Sequence, residues 1–164
     1  MRVKISAFLF LTVFYYTPAS YGIVSASGNL SLSGNITDSV SIAVTPSGNY
    51  NNLTLTTSAT DAVVATVAES SNATAGYIIL ARSSNASKLV HSTDSTQNVG
   101  YTMKYGTSSA LTLTAVDQTV KTQAVGGVYS AVASSVSVSY TGVSAASRRA
   151  GTYTDTITFT VQSQ

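Results

Sequence analysis

The amino-acid sequence predicts an all-β protein, folded as an antiparallel β-sandwich. Only 9% of its 164 residues are charged while 44% are hydrophobic, and Ser, Thr, Asn and Gly dominate the remainder. This composition favours strands, because Thr and Val suit a pleated surface whereas the helix formers Glu, Lys and Arg are scarce. Eight or nine short segments alternate apolar and polar residues between turn signals, and no segment has a helical period. The length is enough for one compact domain.

The first residues have the pattern of a secretory signal peptide. A basic start, MRVK, precedes the apolar run ISAFLFLTVFYY and the small residues of TPASYG. That run is shorter than the roughly 20 apolar residues that a membrane-spanning helix needs, so we predict a cleaved leader rather than an anchor. We therefore expect residues 1–22 to be a signal peptide cleaved after Gly22, with cleavage after Ala26 as the alternative, and the mature chain to be exported and soluble.

Strand signals follow along the mature chain. Apolar residues occupy alternate positions from Val24 to Ile36 and again from Val40 to Val44, with Thr37-Asp38-Ser39 as the break between them. Further strands are predicted, in order, at LTLTT, AVVATVAES, YIILA, KLVH, VGYTMKYG, ALTLTAV and VYSAVASSVSVSYTGV. YIILA is the most hydrophobic of these, so we expect a central strand buried on both faces.

The last segment of the sequence, AGTYTDTITFTVQSQ, is its clearest strand. Tyr153, Asp155, Ile157, Phe159 and Val161 share one face, and threonines occupy the positions between them. The leading segment, VSASGNLSLSGNI, has the same two-faced character. Because free strands with exposed leucines tend to associate, we predict that both segments are association surfaces.

Residues that carry enzyme chemistry are sparse and scattered. The chain has no cysteine, and its one histidine, His91, follows an apolar strand, where a surface or edge role is far commoner than catalysis. The six acids stand singly, at Asp38, Asp61, Glu69, Asp94, Asp117 and Asp155. Their spacing predicts no carboxylate pair and no calcium loop, so a metal site would have to be assembled by folding. We expect no enzymatic activity, no cofactor and no metal.

The charge distribution argues against a nucleic-acid partner. The net charge is only +2, and the sequence has no basic cluster beyond the pair Arg148-Arg149. Proteins that bind nucleic acid instead concentrate Lys and Arg on one face to meet the phosphates.

Both ends of the chain resemble chaperone–usher pilus subunits. GNLSLSGNI, from Gly28 to Ile36, looks like the N-terminal donor extension of these subunits. AGTYTDTITFTVQSQ resembles the C-terminal strand of cysteine-free fimbrial and capsule-like subunits and of spore coat protein U-like subunits of archaic pili. Gly151 is fourteenth from the carboxyl end, which matches the glycine before the final strand in such subunits. Two features differ from other pilus subunits. The penultimate residue is Ser163, where many pilins have an aromatic residue, and the disulfide found in the larger, cysteine-containing branch of the family is absent.

The resemblance implies an incomplete immunoglobulin-like sandwich, in which residues 23–36 are the donor extension and residues 37–164 the domain. The seventh strand of the sandwich is missing, and an apolar groove lies beside the last strand. In the family a periplasmic chaperone fills this groove first, and the donor strand of the next subunit replaces it at an outer-membrane usher. The implied donor residues are Ala26, Gly28, Leu30, Leu32, Gly34 and Ile36. The implied groove and chaperone contacts are Gly151, Tyr153, Ile157, Phe159 and Val161.

The function implied by the resemblance is that of a structural subunit of a bacterial surface fimbria, with roles in adhesion or biofilm formation. Its partners would be identical or related pilin subunits, the chaperone, the usher and a receptor on a host or other surface. If the donor lies antiparallel to the last strand and parallel to the first, a chain filling its own groove needs a crossover of roughly a dozen residues. Thr37-Asp38-Ser39 is too short for that, so we expect exchange between chains.

Two other functions remain open from the residues alone. The first is a self-contained secreted module that binds carbohydrate or a surface, with the N-terminal strand folded into its own sheet. The second is ice binding by threonine rows such as Thr152 to Thr160, although the sequence lacks the short fixed repeat that would stack such rows. The solvated face of an antiparallel strand explains those threonines equally well.

Overall fold

The fold is described from a computed structural model, which covers Tyr15 and residues 22–48 and 50–164. Nearly all of the predicted leader, residues 1–22, lies outside the described residues, as does Asn49 of the PSGNYNN turn. Ile36–Gln164 form one compact unit. In the described part of the chain no helix is both long enough and apolar enough to cross a membrane.

The protein is all-β and antiparallel, as the composition and the alternation predict. The strands are β1 (Val40–Pro46), β2 (Ala59–Ser71), β3 (Tyr77–Ser83), β4 (Lys88–His91), β5 (Asp94–Tyr105), β6 (Gln118–Gln123), β7 (Tyr129–Tyr140), β8 (Tyr153–Thr154) and β9 (Ile157–Ser163). A short 3-10 helix, Ala145–Ser147, lies between β7 and β8. The strands form a six-stranded sheet in the order β1-β2-β7-β5-β4-β8 and a three-stranded sheet in the order β6-β3-β9.

The two sheets pack face to face in a sandwich-like arrangement around one apolar core. Val67 of β2, Ile79 of β3 and Met103 of β5 are at most 1% exposed. Each comes from an alternating segment whose intervening residues are more exposed, as expected of strands with one buried face. Full burial of such a side chain contributes roughly 1.5 to 3 kcal/mol.

Three predicted strands differ from the structure. Residues 24–36 and 53–57 form no strand, because alternation alone does not make a ladder without a neighbouring strand to pair with. In ALTLTAV only Leu111 forms a bridge, to Met103, while Ser87 Oγ accepts the Leu113 N–H at 2.7 Å and takes it out of any ladder. The strand of this region is β6, immediately downstream, which was not predicted.

The predicted central strand is also partly corrected. YIILA does lie in β3, at the centre of the three-stranded sheet. Its burial alternates, however, with Tyr77 and Ile79 fully buried but Ile78 and Leu80 only half-buried. One face of this small sheet packs on the core and the other is more exposed, so the apolar run reflects β propensity on both faces rather than two-sided burial.

Hydrogen bonds fix the relative directions of the edge strands β1 and β9. The Asn72 N–H donates to Ser39 O at 3.1 Å, and the Gln164 N–H donates to Gly76 O at 3.0 Å. The start of β1, the end of β2, the start of β3 and the end of β9 therefore meet at one end of the sandwich. It follows that β1 and β9 run in opposite directions.

Candidate functional site

The candidate site is a groove between the free edges of β1 and β9, which we call the edge groove. β1 pairs only with β2, and β9 pairs only with β3, among the residues that the structure covers. Each strand therefore presents a row of main-chain N–H and C=O groups without a ladder partner on its outer side. Cα atoms of the two strands approach within 8 Å at several positions. Two strand spacings need about 9.5 Å, so a strand entering there would push β1 and β9 apart slightly.

The floor of the edge groove is apolar. A cleft of about 200 Å³ opens there, and its lining comes from both sheets and from the loop after β1. The apolar and aromatic lining residues are Val44, Pro46, Tyr50, Leu53, Val64, Ala65, Leu89, Tyr101, Val136, Val138, Tyr140, Ile157 and Phe159. Val44 and Tyr50 remain 46% and 54% exposed. Apolar and aromatic side chains at the rim of the cleft are thus open to solvent, between two strand edges that have no ladder partner among the described residues.

A second, more polar cleft of about 680 Å³ continues the groove towards the β7–β8 connection. Tyr50, Leu53, Leu89 and Asp155 line both clefts. Its further lining includes Asn51, Asn52, Arg148, Arg149 and Tyr153. We call it the polar cleft.

Asp155 marks where the predicted final strand changes sheets. Instead of one continuous strand, β8 pairs with β4 in the six-stranded sheet and β9 pairs with β3 in the three-stranded sheet. The Asp155 carboxylate accepts hydrogen bonds from Ser83 Oγ at 2.5 Å and Tyr101 OH at 2.7 Å, and from the main-chain N–H of Asn85 at 3.0 Å. These bonds hold the chain at the crossing. The free edge beside the groove consequently begins at Ile157 and is seven residues long.

The structure divides the five predicted groove residues among three places. Ile157 and Phe159 line the apolar cleft, and the Phe159 ring lies 5.7 Å from that of Tyr105. Val161 is half-buried and packs against the core beyond the cleft. Gly151 and Tyr153 line the polar cleft.

Gly151 lies against His91, which sequence reasoning expected at a surface or edge. His91 is buried, at 6% exposure, with Nε2 3.1 Å from Ala150 O and its ring packed edge-on against Tyr153 at 5.0 Å. The histidine became buried because β8 covers β4 on that side. Gly151 has a φ of +151°, and a Cβ added there would lie 2.3 Å from His91 Nε2. The glycine is needed for close packing of this corner.

We expect Gly151→Ala to destabilise the protein by roughly 1 to 3 kcal/mol, because it adds backbone strain and displaces His91. The melting temperature measured by circular dichroism should fall by several degrees. Gly100→Ala is the matched control, since a Cβ at that glycine meets nothing within 4 Å. Equal melting temperatures for the Gly151 variant and the unchanged chain would show that the His91 contact does not constrain the corner.

The donor residues predicted from the sequence are exposed. Leu30, Leu32 and Ile36 are 83%, 86% and 86% exposed, and residues 22–39 form no strand. Ala26, Gly28 and Gly34 are exposed as well. These side chains therefore present apolar surface available to a partner.

Sequence reasoning missed a buried polar cluster around Glu69, which braces the two sheets. Glu69 in β2 is fully buried, and its carboxylate accepts hydrogen bonds from Tyr105 OH at 2.5 Å, Tyr77 OH at 2.7 Å and Ser134 Oγ at 3.0 Å, and from Lys121 Nζ at 2.7 Å. Tyr77 and Lys121 belong to the three-stranded sheet and the others to the six-stranded sheet. A signal was present in the sequence, because Glu69 occupies an inward position of the β2 alternation.

The Glu69 cluster should make the protein sensitive to acid. Burial alone would raise the pKa of Glu69, but the Lys121 ammonium and the hydroxyls of Tyr105, Tyr77 and Ser134 outweigh it and lower that pKa. A pKa below the unfolded value of about 4.3 stabilises the fold above that pH, and the stabilisation is lost as the pH falls through the native pKa. Melting temperatures measured from pH 7 to pH 2.5 should therefore fall in the acid range.

The acid dependence is assigned by substitution. Glu69→Gln should lower the melting temperature at pH 7 and flatten its fall in acid. Asp61→Asn, which changes an exposed carboxylate bound to Lys104, should leave both nearly unchanged. An acid slope of the same steepness in Glu69→Gln would assign the sensitivity to other carboxylates.

Comparison with known proteins adds no assignment. No protein-family model matches the chain, and a search of curated proteins finds no significant match. Among the described residues, no group of three or more His, Cys, Asp or Glu side chains is placed to hold a metal ion.

Proposed function

We propose that this protein is a structural subunit of a bacterial surface fimbria, polymerised by a strand that each subunit donates to the edge groove of the next. The observation that supports this most is the pair of free strand edges, β1 and β9, on either side of an apolar cleft. The leading segment of the same chain supplies exposed apolar residues at alternate positions. A strand added between two edges gains main-chain hydrogen bonds on both sides and buries its inward side chains.

The lengths of donor and groove agree. The segment from Leu30 to Ile36 has seven residues, and so has β9. An antiparallel register that pairs Ile36 with Ile157 sets Gly34 opposite Phe159 and Leu32 opposite Val161. Gly34, which has no side chain, then faces the ring of Phe159, so a small residue lies opposite the largest one of the pair of strands.

The direction of the strands favours exchange between chains. A donor antiparallel to β9 runs parallel to β1, because β1 and β9 run in opposite directions. It would finish at the end of the sandwich opposite to the start of β1. The chain would then have to return along β1, a distance of about 23 Å for seven residues, whereas the stretch from Ile36 to Val40 reaches about 14 Å at most. A donor in this direction must therefore come from another molecule.

The pathway of assembly follows from the resemblance to chaperone–usher subunits. The chain would be exported through the periplasm, where a chaperone covers the edge groove, and an outer-membrane usher would replace that chaperone by the next subunit. The contact is heterologous, so it continues into a fibre rather than closing into a dimer.

The polar cleft supports a second candidate, a secreted module that binds carbohydrate. Exposed aromatic rings, side-chain amides and guanidinium groups are the kinds of group that line small-molecule sites, and Tyr50, Asn51 and Arg148 provide them here. That reading requires residues 24–36 to form a strand of the chain's own sheet. In the structure these residues form no strand.

Size-exclusion chromatography and electron microscopy of the purified mature chain separate the two functions. A fibre subunit should form linear oligomers and fibres, and its free form should be unstable without a strand in the groove. A thermally robust monomer whose residues 23–36 are protected in hydrogen exchange would overturn the fimbrial proposal and favour the binding module.

A further inference from the structure

We infer that Asn72 clamps the joint between successive subunits and thereby sets the stiffness of the fibre. The inference rests on the proposed fimbrial function. It concerns the three residues Thr37-Asp38-Ser39, which would link a donor strand ending at Ile36 to β1, which begins at Val40.

Asn72 binds the main chain on both sides of Asp38. Its side-chain oxygen Oδ1 accepts the Ser39 N–H at 2.6 Å, and its side-chain nitrogen Nδ2 donates to Thr37 O at 3.2 Å. Its own main-chain N–H donates to Ser39 O at 3.1 Å. Three hydrogen bonds from one residue therefore hold a three-residue segment, and both polar atoms of the amide are used.

The position of the clamp determines what it can control. Asn72 follows the end of β2, so it ties the joint to the corner where β2 turns towards β3. In a fibre the segment before Thr37 would lie in the sandwich of the neighbouring subunit, whereas the segment after Ser39 lies in the sandwich of the subunit that donates the strand. The backbone dihedrals of residues 37–39 would then be the only covalent freedom between adjacent subunits. Bonds to Thr37 O and Ser39 N–H remove much of that freedom.

The amide could instead serve only the fold, by stabilising the corner at the end of β2. Both roles predict a lower melting temperature when the amide is removed, so stability does not separate them. Only the joint role predicts that fibres bend more easily while they still assemble. Fibre persistence length, traced in electron micrographs, is therefore the measurement that discriminates.

We expect fibres of Asn72→Ala to form and to have a persistence length at least about twofold shorter than those of the unchanged chain, because an unclamped short linker behaves as a flexible coil. Insertion of Gly-Ser-Gly between Asp38 and Ser39 leaves Asn72 in place but lengthens the joint beyond the clamp. It should shorten the persistence length similarly and does not rely on the Asn72 variant being stable.

The matched control is Asn98→Ala. Asn98 Nδ2 also donates to a main-chain oxygen, that of Thr96 at 3.4 Å, but Asn98 lies in β5, three strands away from β1 in the six-stranded sheet. Its fibres should be as stiff as those of the unchanged chain. Unchanged stiffness in Asn72→Ala, or in the insertion variant, would overturn the inference, as would equal softening by Asn98→Ala. If the unchanged chain forms no fibres, the proposed function fails first and the inference with it.

Discussion

A chain that carries Leu32→Asp should form no fibres, although it is still exported and folded. Leu32 is 86% exposed in the free chain, so the substitution costs the isolated subunit little. In the proposed register the same side chain faces Val161 inside the completed sandwich. The variant loses about 1.5 to 3 kcal/mol of apolar burial and incurs a desolvation penalty of several kcal/mol for an unpaired carboxylate. At roughly 1.4 kcal/mol per factor of ten, each junction weakens at least a thousandfold.

The matched control for Leu32→Asp is Ser33→Asp. Ser33 is the next residue of the alternating segment, so in a donated strand its side chain points away from the cleft. This variant carries the same added charge and should assemble nearly normally. The measurement is the yield of fibres in electron micrographs together with the amount of exported subunit. Normal fibres from Leu32→Asp would exclude Leu32 as a donor, and loss of fibres in both variants would point to an effect of charge alone.

Deletion of residues 23–36 should also abolish assembly, and a peptide of these residues, added in solution, should stabilise the deleted chain. Without the segment no subunit can fill a neighbour's groove, so the chain remains bound to its chaperone. A synthetic peptide of residues 23–36 should bind the open groove and raise the melting temperature of the deleted chain, because a ligand that binds only the folded state stabilises it. At a free peptide concentration a hundred times its dissociation constant, the free energy of unfolding should rise by about 2.7 kcal/mol.

Two peptides test whether this binding uses the proposed face. The same peptide with Leu32→Asp should produce little stabilisation, whereas the peptide with Ser33→Asp should act almost like the natural one. Continued fibre growth by the deleted chain would contradict the donor scheme outright. Equal stabilisation by both substituted peptides would show that the peptide does not enter the edge groove in the expected orientation.

The candidate site was partly predictable from the sequence. Ile157 and Phe159 were expected beside a groove because the last segment resembles the C-terminal strand of pilus subunits, and both line the cleft. The break at Asp155 was not predictable, because an acid on the apolar face of a strand gives no sign of the Ser83 and Tyr101 hydroxyls that bind it. For the same reason the final strand was expected to be continuous. Glu69 was overlooked as a scattered acid, since its partners lie on four other strands.

Local pattern alone determined the all-β class of this protein and the approximate places of β1, β2, β3, β4, β5, β7 and β9. It could do so because alternation and turn residues act within a few positions of the chain. Only the tertiary structure decided which strands became edges, where the last strand changes sheets, and that residues 24–36 have no ladder partner in the folded chain. These outcomes depend on pairing between residues far apart in sequence, and no short segment carries the information about its distant neighbours.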